Sequence, residues 1–75
     1  MIISNTVKNN SGAGASGINI QSGESNTVSN NTCEDNIVGI TINSDSNTIS
    51  GNTIKENGEG MYLDGSQNII SNNIL

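Results

Sequence analysis

One segment returns at a fixed interval, and that repetition limits what the chain can fold into. Asn26-Thr27-Val28-Ser29-Asn30-Asn31-Thr32-Cys33 comes back as Asn47-Thr48-Ile49-Ser50-Gly51-Asn52-Thr53-Ile54. It comes back again as Asn68-Ile69-Ile70-Ser71-Asn72-Asn73-Ile74-Leu75, giving two intervals of 21 residues. The start of the chain fits the same frame, with Ile2 falling on Val28, Asn5 on Asn31 and Val7 on Cys33. A second half-motif of glycine, apolar, any, apolar recurs at Gly17-Ile18-Asn19-Ile20, Gly39-Ile40-Thr41-Ile42 and Gly60-Met61-Tyr62-Leu63. The first interval is 26 residues, with four extra residues in the Ser11 to Ala15 region and one between Gln21 and Asn26. Stacked repeats accept such insertions in their turns.

The period within each unit identifies the element. Ile18 and Ile20, Ile40 and Ile42, and Met61 and Leu63 alternate with other residues, as in a strand with one buried face. Val28, Ile49 and Ile70 begin a second short apolar set, and Val7, Cys33, Ile54 and Leu75 form a third. Between the sets lie Asn, Ser and Gly, which turn a backbone at low cost. No segment keeps a helical i, i+3, i+4, i+7 stripe, and Asn, Gly and β-branched residues are poor helix formers. Three short strands per unit, joined by tight corners and paired with the next unit, describe an all-β parallel β-helix, a solenoid of about three and a half coils of 21–26 residues. Equivalent residues then stack into columns. Asn5, Asn31, Asn52 and Asn73 form one asparagine column; Asn10, Asn36 and Asn57 form a second; Asn26, Asn47 and Asn68 form a third. Stacked amides can bond to one another and to the corner backbone. Lys8, Glu34 and Lys55 stack with alternating sign, and Thr6, Thr32 and Thr53 form a threonine column without the paired Thr-x-Thr of a flat ice-binding array.

Composition supports this assignment and excludes several functions. Asn, Ser, Gly and Ile account for 47 of the 75 residues, which is the bias of a repeated template. Leu, Ile, Val and Phe number 17 of 75, above the roughly 20% below which chains fail to collapse. A globule of this size has a marginal core, and the usual supports are missing: one cysteine allows no internal disulfide, and the lack of histidine removes the ordinary zinc patterns. A net charge of −5, with Lys8 and Lys55 the only cations and no arginine, argues against nucleic acid and against an anionic membrane surface. No stretch approaches the ~20 apolar residues needed to span a bilayer, and Met1-Ile2-Ile3-Ser4 lacks the pattern of a signal peptide.

At the level of N-x-I-x-x-N-x-I followed by G-I-x-L, the whole chain resembles the right-handed parallel β-helix repeats of the carbohydrate-binding and sugar-hydrolase type, including NosD-like proteins with the pectin-lyase-like fold. The resemblance implies a right-handed coil and a protein that is extracellular, periplasmic or at the cell surface. It leaves function open, because such repeats serve lyases, hydrolases, epimerases, adhesins and surface-layer proteins alike. Relatives of the lyase type use an arginine base beside calcium-binding acids, and those of the polygalacturonase type use clustered aspartates near a histidine. This chain has neither Arg nor His, and Asp35, Asp45 and Asp64 fall in different columns. The copper role attached to the NosD name would need Met1, Met61 or Cys33, and the last two fall in inward columns.

Two groups of residues are candidate sites. The outward positions of the Gly-apolar-x-apolar strand are Asn19 and Gln21, Thr41 and Asn43, and Tyr62 and Asp64. An aromatic beside amides and a carboxylate suits a sugar ring, although a solvated strand face presents the same polar pattern. Asp35 and Glu56 fall one coil apart in a corner, about one strand spacing from each other, where they could share a calcium ion; a solvated turn reads the same way. Cys33 reads as a small buried hydrophobe. Asn9-Asn10-Ser11 and Asn30-Asn31-Thr32 match the glycosylation pattern by composition, and Asn57-Gly58 reads as a turn.

The sequence-level expectation is a single β-helix segment over residues 1–75 without visible caps, a fragment of a longer domain. Its expected role is that of a non-catalytic structural or glycan-contacting module, with no cofactor. Its expected partners are polysaccharide, neighbouring β-helix coils, or a second copy joined end to end. The alternative is a piece of a polysaccharide lyase or hydrolase whose catalytic coils lie elsewhere.

Overall fold

The computed structural model describes all 75 residues. The chain winds through three strands per turn. The first coil holds β1 (Ile2–Ile3), β2 (Thr6–Lys8) and β3 (Ser16–Ile20), and the second holds β4 (Thr27–Ser29), β5 (Thr32–Glu34) and β6 (Val38–Ile42). The third holds β7 (Thr48–Ser50), β8 (Thr53–Lys55) and β9 (Glu59–Leu63), and β10 (Ile69–Ser71) begins the fourth. Three parallel sheets result: sheet A is β1-β4-β7-β10, sheet B is β2-β5-β8 and sheet C is β3-β6-β9. The registers pair Ile2 with Val28, Val28 with Ile49 and Ile49 with Ile70, and likewise Val7 with Cys33 and Cys33 with Ile54. In sheet C, Ile18, Ile40 and Met61 pair in sequence, as do Ile20, Ile42 and Leu63. The fold is therefore the parallel β-helix that the repeat predicts. The register also places the insertions: pairing in sheet B is offset by 26 residues and pairing in sheet C by 22, so the four extra residues lie in the corner between β2 and β3.

The core is a set of short aliphatic stacks. Ile18, Val28, Cys33, Ile40, Ile42, Ile49 and Ile54 are buried, with Ile2, Val7, Ile20 and Met61 packed against them. Burial is deepest in the second and third coils, because each middle residue is covered above and below by its own equivalent.

Polar residues share that interior. Asn31, Asn47 and Asn52 are as inaccessible as the core isoleucines, and each is bonded on all sides. The Oδ1 of Asn52 accepts the backbone N–H of Asn31 at 2.9 Å and its Nδ2–H at 3.0 Å. The Nδ2 of Asn52 donates to Val28 O at 3.0 Å and to Asn73 Oδ1 at 2.8 Å. Asn5 to Asn31 and Asn26 to Asn47 to Asn68 repeat the double link from one coil to the next. The second ladder runs from Asn10 through Asn36 to Asn57. No buried side-chain nitrogen or oxygen lacks a partner.

The corners have one backbone rule. Ser4, Asn9, Ser25, Asn30, Asp35, Ser46, Glu56, Gln67 and Asn72 have positive φ, as does Gly51, and each immediately precedes a ladder asparagine. A single left-handed residue turns the chain sharply and aims the next side chain inward, at a cost of roughly 1–2 kcal/mol for a residue with a Cβ. The backbone N–H of the left-handed residue then donates to a carbonyl of the next coil, as from Asn30 to Ser50 at 3.2 Å and from Asp35 to Lys55 at 3.3 Å.

Candidate functional site

Sheet C gathers the first group of candidates on one outer face. Asn19, Thr41 and Tyr62 are in register on successive strands. Beyond the strand ends Gln21, Asn43 and Asp64 continue the ladder, with Asn43 N–H donating to Ile20 O at 2.7 Å and Asp64 N–H to Ile42 O at 2.8 Å. The face is a strip two columns wide and three coils long. Its members differ in availability. Thr41 is only 8% exposed, and its hydroxyl is 2.7 Å from that of Ser16, so it forms the floor of the strip. Asn19 and Gln21 are exposed and joined to each other, the Gln21 Nε2 donating to Asn19 Oδ1. Tyr62 stands 44% exposed beside Leu63, which is exposed to a similar degree at the end of β9. Glu59, at the start of β9, shares this face in register with Ser16 and Val38. No lysine lies on sheet C: Lys8 and Lys55 both belong to sheet B. The strip is therefore aromatic, amide-rich and acidic, and no concave pocket encloses it.

The second group lies at the corner after sheet B. Asp35 and Glu56 are its left-handed residues, and Glu34 joins them: the carboxylate oxygens of Glu34, Asp35 and Glu56 lie within 4.8 Å of one another. The sequence pattern puts Glu34 in the charge ladder with Lys8 and Lys55. The structure places it in both settings, with its Oε2 3.9 Å from Lys55 Nζ. The signal that could have revealed the trio is adjacency in sequence, since Glu34 directly precedes Asp35. With one oxygen from each, three carboxylates fill at most half of the six to eight positions that calcium takes, and Asp35 and Glu56 stand exposed to water. The Lys55 contact is a surface pair of small energetic weight.

The remaining reactive group is Cys33, which is fully buried between Val7 and Ile54. Loss of hydration pushes its thiol above the ordinary 9.0. A thiol held protonated and shielded is a poor nucleophile. With no histidine or arginine in the chain, the residues present form no nucleophile–base–orienter arrangement.

Comparison with known families adds one finding to this geometry. The family described as the right handed beta helix region matches residues 1–75. The chain belongs to that family. The match covers every coil of the β-helix, including the first one with its longer corner. No curated protein and no solved structure matches the chain. No helix of the structure is long and apolar enough to cross a membrane.

Proposed function

We propose that this β-helix segment is a non-catalytic scaffold of an exported or cell-surface protein, of the NosD-like or pectin-lyase-like kind, whose sheet C face contacts a neutral glycan. The observation that supports this reading is the placement of Tyr62, the only aromatic residue in the chain, half-exposed and in register with Asn19 and Thr41. An aromatic face stacks on the C–H surface of a sugar, while Asn19, Gln21, Asn43 and Asp64 offer donors and acceptors for hydroxyls. The charge on the face selects among glycans. Glu59 and Asp64 repel uronate carboxylates, and no lysine on the face compensates them. Because the face is open, affinity should be low, in the range of about 1 mM for one site, and useful binding would come from several coils or copies acting together.

NMR titration of the chain with neutral and uronate oligosaccharides tests this proposal. Shifts should concentrate on β3, β6 and β9 with the neutral series only, and should be lost in the Tyr62→Ala, Asp64→Ala double variant. Equal shifts in wild type and the double variant would contradict glycan contact by this face.

A second reading is a segment of a polysaccharide lyase or hydrolase whose catalytic coils lie outside residues 1–75. It draws on the resemblance of the coil motif to such enzymes. Arginine, histidine or paired aspartates on the outward face of adjoining coils would favour it over the scaffold reading.

A further inference from the structure

The chain contains a single Asn-Gly step, Asn57–Gly58, and the fold places it where its intrinsic chemistry is blocked. An asparagine followed by glycine loses its side-chain amide more readily than one followed by a bulkier residue. The backbone nitrogen of the following residue attacks Cγ, ammonia leaves, and water opens the succinimide to aspartate or isoaspartate; glycine hinders that attack least. In the coil each participant is engaged. Asn57 Oδ1 accepts the backbone N–H of Asn36 at 2.8 Å, and its Nδ2 donates to Cys33 O at 3.0 Å. The attacking nitrogen, Gly58 N, donates its hydrogen to Asn36 O at 3.1 Å.

Packing favours glycine at 58, where the preceding coil carries Ile37. A Cβ there would come 2.9 Å from the carbonyl oxygen of Ile37 in the coil below. Asparagine at 57 is imposed by the ladder. The third coil therefore holds, at a ladder position, the dipeptide that is chemically least durable once exposed.

We propose that Asn57–Gly58 is a latent deamidation site, closed while the third coil is seated on the second and opened when they separate, so that its product is an irreversible record of coil opening. The product cannot resume its place. Aspartate at 57 presents an oxygen to the Cys33 carbonyl where the amide had presented a donor. Isoaspartate adds a methylene to the main chain directly before β9 and shifts its register against β6.

The test uses the full chain, held at mildly alkaline pH in native buffer or in urea, with peptide mapping that distinguishes asparagine, aspartate and isoaspartate. Asn57 should convert at least about tenfold more slowly in native buffer than in urea. Asn43–Ser44, which lies outside the three ladders, should differ by less than about threefold between the two arms. Rates at Asn57 within about threefold of each other in the two arms would overturn the proposal. Asn57→Asp, which installs one product directly, should lower the urea midpoint by clearly more than Asn43→Asp, which breaks no ladder bond and only sets a second carboxylate beside Asp64. An unaltered midpoint for Asn57→Asp would overturn the claim that the product cannot rejoin the ladder.

Discussion

A corner asparagine such as Asn52 accepts two hydrogen bonds from one neighbouring coil and donates to carbonyl and amide groups around it. Aspartate has no donor, and leucine has neither donor nor acceptor. Asn52 shows what the role is worth. Replacing it by alanine strands the Asn31 N–H and the Val28 carbonyl at a position closed to bulk solvent, so Asn52→Ala should cost about 3 kcal/mol or more in urea denaturation. The residue before each ladder asparagine obeys a different constraint. Glu56 has φ 57, and Glu56→Gly should be neutral or stabilising by up to about 1 kcal/mol, the relief of left-handed strain outweighing the entropy of glycine. Glu56→Val should instead destabilise, because a β-branched residue tolerates that region least; the same urea midpoints check both. The buried Cys33 thiol gives a pH dependence with a definite sign. Its folded value is raised, so the native state keeps a proton that the unfolded chain releases. The contribution is constant below 9.0, and stability then falls as pH rises toward the folded value, by at most about 1.4 kcal/mol per pH unit. Melting curves across that range should show the fall in wild type and its absence in Cys33→Ala. At this scale the asparagine columns were legible in the sequence because a side chain that repeats every coil must stack. The left-handed role of Glu56 and Gln67 was not, since Glu and Gln have no special liking for that conformation. Position before a ladder asparagine would have revealed it.

The elements are short because each coil must close around a narrow interior. Strands of three residues in sheets A and B place a single apolar side chain inward, as Val28 and Cys33 do. The five-residue strands of sheet C bring in two. The recurring glycine at the start of the sheet C motif has a steric cause that the sequence pattern did not explain. A Cβ on Gly39 would collide with the carbonyl oxygen of Gly60 and lie 2.5 Å from Ile54 Cγ2. Gly39→Ala should therefore cost about 2 kcal/mol, more than an ordinary glycine substitution, and a lowered thermal midpoint would report it. Alternation of apolar residues identified the sheet C strands, and the column positions identified the others. The acidic corner was only half legible: Asp35 and Glu56 follow from the repeat, but the inclusion of Glu34 depends on how the side chains turn, and its pairing with Lys55 does not reveal that. The sheet C strip was legible as a set of positions, while the shielding of Thr41 by its neighbours was not, because burial of an outward residue depends on the coils on either side.

The whole molecule is quasi-one-dimensional, each coil touching only those adjacent to it. A 75-residue chain with few large side chains still builds an ordered interior because its polar residues bond along the same axis on which its aliphatic residues stack. Stability should thus be a sum of coil-to-coil contacts, and a substitution in the second or third coil should cost more than the same substitution at an end. Asn52→Ala against Asn5→Ala tests this within one ladder, with the larger loss expected at Asn52. The family match over residues 1–75 agrees with a β-helix written by repetition. The glycan proposal rests on the one column where that repetition brings an aromatic residue to the surface. All of this requires that residues 21 apart in sequence be neighbours in space. Solution NMR of the methyl-labelled chain tests it most directly. The account predicts strong Overhauser contacts from Val28 to Ile49 and from Ile40 to Met61, together with slowly exchanging Nδ2 protons on Asn31 and Asn52. Contacts confined to sequence neighbours, with side-chain amides exchanging as fast as those of a free peptide, would contradict it.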